Sequence, residues 1–189
     1  MLLLRHGQSE FNVIYGKTRQ DPGIRDPKLT TEGRAQANNA AEQLTRFAAD
    51  RIVSSPYRRT LETASIVAER LKLPITVTPL IAERAVFQCD VGSPVTHLRR
   101  DFPHVDFLNL NEETWWHPGN EDLGSLDRRC TQFREHYKDR AGDKSIFVTH
   151  WGFIRSLTNI RAQNCGVVAF NPKSEHPGGG TVVYNCNPC

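Results

Sequence analysis

Two histidines in this sequence each follow a predicted strand. His6 follows the apolar run 1–4, and His150 follows the β-branched and aromatic run 144–149. Parallel strands of one sheet end at the same edge, where ligands sit in open α/β sheets, so we expect the two imidazoles to lie close together. Arg5 directly precedes His6. Gly7 follows His6 and permits close approach of a ligand to the backbone, and the next residues are expected to start a helix whose N-terminal amides attract anions. Arg5 and His6 would therefore lie at the mouth of a phosphate site.

A pair of arginines, Arg58 and Arg59, opens a predicted helix after a third short strand, 51–55. A cation in the first turn of a helix opposes the helix dipole, so its position is better explained if an anion lies in front of it. Only one of the two side chains needs to point inward. The sequence therefore predicts an anion site near a third strand end.

Composition agrees with phosphate chemistry and excludes several other classes. The chain has 189 residues and a net charge of +3, and 18 of its 24 basic residues are arginine, an excess that a GC-rich genome would also produce. No long basic run accompanies the tryptophans, which argues against a nucleic-acid partner. No apolar run approaches the ~20 residues of a membrane span. The opening apolar run is too short for a secretory signal, so we expect a cytoplasmic protein with no membrane partner.

Known metal and nucleotide motifs are missing from the sequence. There is no H-x-H, H-E-x-x-H, G-x-S-x-G or G-x-x-x-x-G-K-[ST] pattern, so we expect no metal, no cofactor, no serine nucleophile and no P-loop. Five cysteines without an export signal are expected to stay reduced. Cys186 and Cys189 form a C-x-x-C whose role the sequence leaves open, although it follows a strand rather than beginning a helix.

Strands alternate with helical patterns along the chain, which predicts an α/β fold with a mostly parallel sheet. Apolar residues recur at spacings of three and four within 37–48, 61–71 and 126–137. Two late strands, 167–170 and 181–184, are expected to form a hairpin or to be neighbours. We expect a single domain, 1–189, with two active-site insertions, near 17–29 and 83–120.

Four motifs together resemble those of the histidine phosphatases, the phosphoglycerate mutase-like superfamily, over most of the chain. They are R-H-G at 5–7, L-T-x-x-G-x-x-Q-A at 29–37, S-S-P-x-x-R-x-x-x-T-A at 54–64 and V-T-H-W-G at 148–152. In the last motif Trp151 is inserted before the usual glycine or replaces it. The resemblance implies a three-layer α/β/α sandwich of the phosphoglycerate mutase type.

The resemblance also implies residue roles. His6 would be the nucleophile that takes up the phosphoryl group. In the third motif, the spacing between the arginine and the Thr-Ala pair, Thr63 and Ala64, favours Arg59 over Arg58. The phosphate oxygens would be bound by Arg5, Asn12, His150 and Arg59, with Arg58 as the alternative.

The acid that protonates the leaving oxygen is expected at Glu83, because Leu80–Arg84 resembles the L-x-E motif of the family. Asp90 is the back-up acid. A solvated Glu83 paired with Arg84 is the structural alternative. Glu121, in a segment similar to G-E-S, is expected to line the site or to pair with an arginine.

The predicted function is a phosphomonoester hydrolase acting on a small phosphorylated substrate. A phosphoglycerate mutase-type phosphotransferase is less favoured, because the stretch 20–27 lacks the G-W of that branch. A non-catalytic phospho-ligand binding domain is the second alternative, although it would usually have lost the histidine or the acid. Trp115–His117 and Phe87 either shape the substrate side or belong to the core. The sequence leaves the substrate and the oligomeric state open.

Overall fold

A seven-stranded sheet runs through the molecule in the computed structural model, which describes residues 1–108, 110–140 and 142–186. The strands are β1 (Leu2–Arg5), β2 (Arg51–Ser54), β3 (Ile75–Val77), β4 (Val105–Asp106), β5 (Ser145–Thr149), β6 (Val167–Phe170) and β7 (Gly180–Tyr184). The helices are α1 (Glu10–Thr18), α2 (Thr31–Leu44), α3 (Arg58–Leu71), α4 (Val95–Asp101), α5 (Leu123–Tyr137) and α6 (Trp151–Thr158). Two short 3-10 helices span Pro79–Ile81 and Gln88–Asp90.

The strand order is β4-β3-β2-β5-β1-β6-β7, and the first five strands are parallel. β6 and β7 continue the sheet in antiparallel pairing, as neighbours. Arg5 is in register with Thr149 of β5, and Ser54 of β2 is in register with Val148. The mostly parallel sheet is therefore confirmed, and three strands end together at one edge.

Two apolar clusters cover the two faces of the sheet. Successive side chains of a strand point to opposite faces, so Leu4 joins one cluster and Leu3 the other. The first cluster contains apolar residues of α2 and α3, and the second contains Phe133 of α5 and Phe153 of α6. This arrangement is the three-layer α/β/α sandwich that the resemblance implied.

The helix starts follow from local chemistry. The Thr30 hydroxyl accepts a hydrogen bond from the Gly33 amide at 3.0 Å and caps α2. The segment 83–120 is more regular than its sequence suggests, since it contains α4 and also β4, which forms the sheet edge beside β3. A two-residue strand is too short to produce a periodic pattern.

None of the helices within the described ranges is long and apolar enough to cross a membrane. Cys186 is buried as a free thiol, whereas Cys189 lies outside the described residues, so the structure does not place the C-x-x-C pair.

Candidate active site

The rings of His6 and His150 lie side by side at the edge where β1 and β5 end. Their centroids are 5.2 Å apart with an interplanar angle of 62°. The His6 amide donates to the carbonyl of Thr149 at 3.0 Å, which continues the β1–β5 pairing up to the histidine. The predicted meeting of the two imidazoles at one sheet edge is what the structure shows.

The hydrogen bond made by the His6 ring indicates which ring nitrogen carries the hydrogen. Nδ1 lies 2.7 Å from the carbonyl oxygen of Gly7. A carbonyl only accepts, so Nδ1 carries the hydrogen and Nε2 keeps its lone pair. Burial lowers the pKa of His6 well below its ordinary value, and the charges of Arg59 and Arg5 lower it further. His6 is therefore a neutral imidazole whose Nε2 lone pair is free to bond.

The loop after His6 is held by two glycines in close contact. A Cβ at Gly7 would lie 2.4 Å from the carbonyl oxygen of Gly33, and a Cβ at Gly33 would lie 2.0 Å from that of Gln8. The Gly7 amide also donates to the Thr63 hydroxyl at 3.1 Å. The glycines of two separate sequence motifs thus position His6 by backbone packing.

Two arginines bring positive charge to His6. Arg5 donates from Nη1 to the Ala162 carbonyl at 3.0 Å, and its buried Nε has no partner within the described ranges. Burial lowers the pKa of Arg5 to about 10, so it stays charged at neutral pH. Arg59 is 3% exposed and donates to the Cys89 carbonyl at 2.8 Å and to Asp90 at 3.1 Å. Burial opposes its charge, but neighbouring Cys89 and Asp90 favour the charge and raise the pKa of Arg59 overall.

Arg58 is not brought to this site. Its guanidinium pairs with Asp101 at 2.6 Å, while its amide donates to Asp26 at 2.8 Å. The two adjacent arginines point in different directions, so Arg59 lines the cavity at His6 and Arg58 does not. The prediction of Arg58 as an alternative phosphate-binding residue is therefore corrected.

His150 has one nitrogen bound and one free. Nε2 lies 2.8 Å from the Ser55 hydroxyl, and Nδ1 is buried without a partner in the part of the chain that the structure describes. Burial lowers the pKa of His150 well below its ordinary value, with Arg59 adding to the effect. When the Ser55 hydroxyl donates to Nε2, Nδ1 carries a hydrogen that an anion beside it would accept. The sequence analysis missed Ser55, although it stands in the quoted S-S-P motif.

Glu83 faces the same cavity and is held through backbone amides. Its Oε2 accepts from Gly152 at 3.1 Å and its Oε1 accepts from the Arg84 amide at 2.9 Å. The Arg84 guanidinium donates to the Glu121 carbonyl at 2.9 Å. Glu83 and Arg84 therefore do not form the solvated ion pair that was the structural alternative. Burial raises the pKa of Glu83, and the charge of Asp90 raises it further. A carboxyl with a raised pKa is suited to proton transfer near neutral pH.

The other two predicted carboxylates have structural tasks. Asp90 pairs with Arg59 and accepts hydrogen bonds from the amides of Val86 and Phe87, both at 3.1 Å. These contacts make Asp90 an anchor for Arg59 and for the backbone at 86–87, rather than a back-up acid. Glu121 forms a two-point pair with Arg129 at 2.8 and 2.7 Å, which matches its expected role as an arginine partner.

Asn12 lies at the cavity through its place in the first turn of α1. Its Oδ1 accepts from the Ser9 amide at 3.0 Å and completes a capping box. Asn164 donates to Asn12 at 3.3 Å and to the His6 carbonyl at 3.1 Å. Asn164 is not among the predicted site residues, because nothing in its neighbourhood carries a recognisable motif.

Most of these side chains line one cavity of about 580 Å³, whereas His150 and Ser55 are buried behind its lining. The polar lining includes Arg5, His6, Asn12, Arg59, Glu83 and Asn164, and the aromatic lining includes Phe11, Tyr15 and Phe87. Trp115 instead packs on Tyr57 with centroids 4.7 Å apart, so it belongs to the core while Phe87 faces the cavity. Over residues 1–108, 110–140 and 142–186, no group of three or more His, Cys, Asp or Glu side chains could hold a metal ion.

Comparison with known proteins gives a consistent picture. Residues 1–168 match the family model described as the histidine phosphatase superfamily, branch 1. A glucosyl-3-phosphoglycerate phosphatase of Mycolicibacterium vanbaalenii is 39% identical over 168 residues, covering 84% of this chain and 72% of that protein. Phosphoserine phosphatase 1 of Hydrogenobacter thermophilus is 29% identical over 174 residues, covering 89% and 75%. A mycobacterial glucosyl-3-phosphoglycerate phosphatase solved with vanadate (VO3) has a similar fold, with a TM-score of 0.64 at 23% identity and 99% coverage of both chains.

Proposed function

The chain belongs to the histidine phosphatase superfamily (branch 1), and from that premise we propose that it hydrolyses phosphomonoesters through a covalent phosphohistidine on His6. The observation that carries this proposal is the state of His6. It is a neutral imidazole whose Nδ1 is bound to the Gly7 carbonyl at 2.7 Å, which leaves Nε2 to attack. The half-buried Arg5 and the buried Arg59 line the same cavity.

In the first step the Nε2 lone pair of His6 attacks the phosphorus of the substrate. A nitrogen–phosphorus bond forms as the bond from phosphorus to the leaving oxygen breaks, and protonated Glu83 gives its proton to that oxygen. Arg5, Arg59 and His150 bind the non-bridging oxygens and stabilise the negative charge that spreads over them in the transition state.

In the second step water attacks the phosphohistidine. Glu83, now a carboxylate, takes a proton from that water as its oxygen bonds to phosphorus. The nitrogen–phosphorus bond breaks, inorganic phosphate leaves, and His6 and Glu83 return to their starting states. The raised pKa of Glu83 suits both directions of this proton transfer.

A small phosphorylated metabolite is the proposed substrate class. The named activities of the two curated relatives support it, since both act on compact phosphoesters. Phosphoserine and glucosyl-3-phosphoglycerate are therefore the first compounds to test. The cavity accepts a leaving group larger than the phosphate itself.

The test begins with hydrolysis of p-nitrophenyl phosphate in the presence of EDTA. We expect turnover by the wild-type protein and, on rapid quench, an acid-labile, base-stable phosphoryl adduct that His6→Ala lacks. An adduct that persists in His6→Ala would refute the assignment of the nucleophile. Tight phosphate-ester binding without turnover of any ester would favour the binding-domain alternative, and interconversion of phosphoglycerates would favour the mutase.

A further inference from the structure

Three packed aromatic rings line the same cavity as His6. Phe11 and Tyr15 lie one helical turn apart on α1, with centroids 5.1 Å apart and planes 14° from parallel. The Phe87 ring lies 5.4 Å from Phe11 and 5.0 Å from Tyr15. We call Phe11, Tyr15 and Phe87 the aromatic wall.

The proposed chemistry makes no use of the aromatic wall. All three of its residues line the same cavity as His6, and none of them takes part in the two steps written above. Phe11 is buried, whereas Tyr15 and Phe87 keep part of their surface open. The Arg19 guanidinium lies 5.8 Å from the centre of the Tyr15 ring, so the outer rim of the wall is cationic.

The wall and the phosphate-binding residues are held by shared anchors. The carboxylate of Asp90 accepts the amides of Val86 and Phe87 and pairs with Arg59 at 3.1 Å. The capping box between Ser9 and Asn12 fixes the first turn of α1, which carries Phe11. The spacing between the ring surface and the phosphate site is therefore set before any substrate binds.

Resting on the function proposed above, we propose that the aromatic wall selects phosphomonoesters whose leaving group carries a flat apolar ring. With the phosphoryl group at His6, the ring of such an alcohol stacks on Tyr15 and Phe87. Stacked or edge-to-face aromatic contacts add to the gain from burying apolar surface. A cavity of about 580 Å³ has room for this ring beside the phosphate.

The experiment compares two esters of primary alcohols, 2-phenylethyl phosphate and propyl phosphate. Their leaving oxygens have similar acidity, so the ratio of their kcat/KM values reports how the leaving group is bound rather than how well it leaves. We expect wild-type protein to favour the phenylethyl ester by about tenfold, the ratio given by one good aromatic contact. Phe87→Ala and Tyr15→Ala should each reduce this ratio several-fold.

Two further variants test whether the ring itself matters. Phe87→Leu keeps an apolar side chain but removes the ring, so it should lose most of the preference while retaining the melting temperature. Ile14→Ala is the matched control, because Ile14 lies on the same helix, is 38% exposed and does not line the cavity. It should keep the wild-type ratio.

A wild-type ratio near one, or a ratio that none of the wall variants changes, would overturn the proposal. If the phosphohistidine still forms on His6 in that case, the proposed function stands and only the ring preference fails. If no phosphoester is turned over at all, calorimetric binding of 2-phenylethylphosphonate against propylphosphonate tests the wall independently. Equal affinities there would also refute it.

Discussion

The carboxylate of Glu83 reaches the backbone amide of Gly152 at 3.1 Å because position 152 has no side chain. A Cβ built on Gly152 would lie 2.3 Å from Oε1 of Glu83, closer than any real contact. The glycine after the Trp151 of the fourth motif is therefore the residue that lets the proposed acid approach the end of β5.

We expect Gly152→Ala to displace Glu83 and to lower kcat roughly 100-fold for alkyl phosphates, since a shift of about 1 Å in a catalytic group has a cost of that order. The loss should be much smaller for p-nitrophenyl phosphate, whose leaving oxygen needs little help from an acid. Glu83→Gln should show the same dependence on the leaving group, and the exposed Glu69→Gln should show none. Equal losses for both ester types would contradict a role in protonation.

Arg59→Ala should raise KM for phosphoesters and lower kcat/KM by about 100-fold or more, because it removes a buried charged donor from the proposed phosphate site. It also leaves Asp90 buried without its partner, so the free energy of unfolding should fall by about 3 kcal/mol. Steady-state kinetics and urea denaturation measure the two effects.

Arg58→Ala is the comparison for that variant. The guanidinium of Arg58 pairs with Asp101 outside the cavity. Its kcat/KM should therefore stay within about twofold of wild type, as expected for a partly exposed ion pair. A large kinetic loss in Arg58→Ala with a normal Arg59→Ala would reverse our assignment of the pair.

Ser55→Ala removes the hydroxyl that lies 2.8 Å from Nε2 of His150. Without this partner the buried ring loses the contact that sets which nitrogen carries the hydrogen, so vanadate should bind about tenfold more weakly. The free energy of unfolding should fall by about 1–3 kcal/mol. Ser55→Thr, which keeps a hydroxyl, should recover part of the vanadate affinity. No recovery would point to packing as the cause.

Stability should depend on pH through the two histidines. The pKa values of His6 and His150 lie well below the ordinary value of 6.5, so below about pH 6.5 the unfolded chain binds protons that the folded protein does not. The free energy of unfolding therefore falls as the pH falls through this range, by up to about 1.4 kcal/mol per pH unit for each histidine. Denaturation of wild type and His6→Gln between pH 7.5 and 5 checks this.

The His6→Gln variant should lose less stability on acidification than wild type. The carboxyls with raised pKa values, Glu83 and Asp26, act in the opposite direction, but they are common to both proteins and cancel in the comparison. Parallel curves for the two proteins would show that His6 titrates normally in the folded state.

The strand-end histidines were predictable from sequence, because a strand pattern and its last residue are local properties. The choice between Arg58 and Arg59 is different. Both stand in the first turn of α3, and the structure separates them through Asp90 and Asp101, about 30 to 40 positions further along the chain. The family motif favoured Arg59, but the physical reason is a long-range contact that the local pattern does not contain.

The difference between local patterns and long-range contacts also explains which features the sequence did not predict. Asn164 lies before β6 and donates to the carbonyl of His6, which follows β1, so the two residues are 158 positions apart in sequence. β4 pairs with β3 through two residues only, so its register comes from tertiary packing rather than from alternation. The aromatic wall combines a helical pair with one residue from the segment 83–120, where sequence periodicity is weak.

β1 is bounded on one side by β5 and on the other by β6. An interior strand with hydrogen bonds along both edges is among the last parts of a protein to open, and its amides exchange slowly with solvent. Many residues that line the cavity belong instead to α1 and to the segment 83–120, outside the sheet interior. Partial opening of the molecule would thus release this part of the lining while the strand leading to the proposed nucleophile stayed folded.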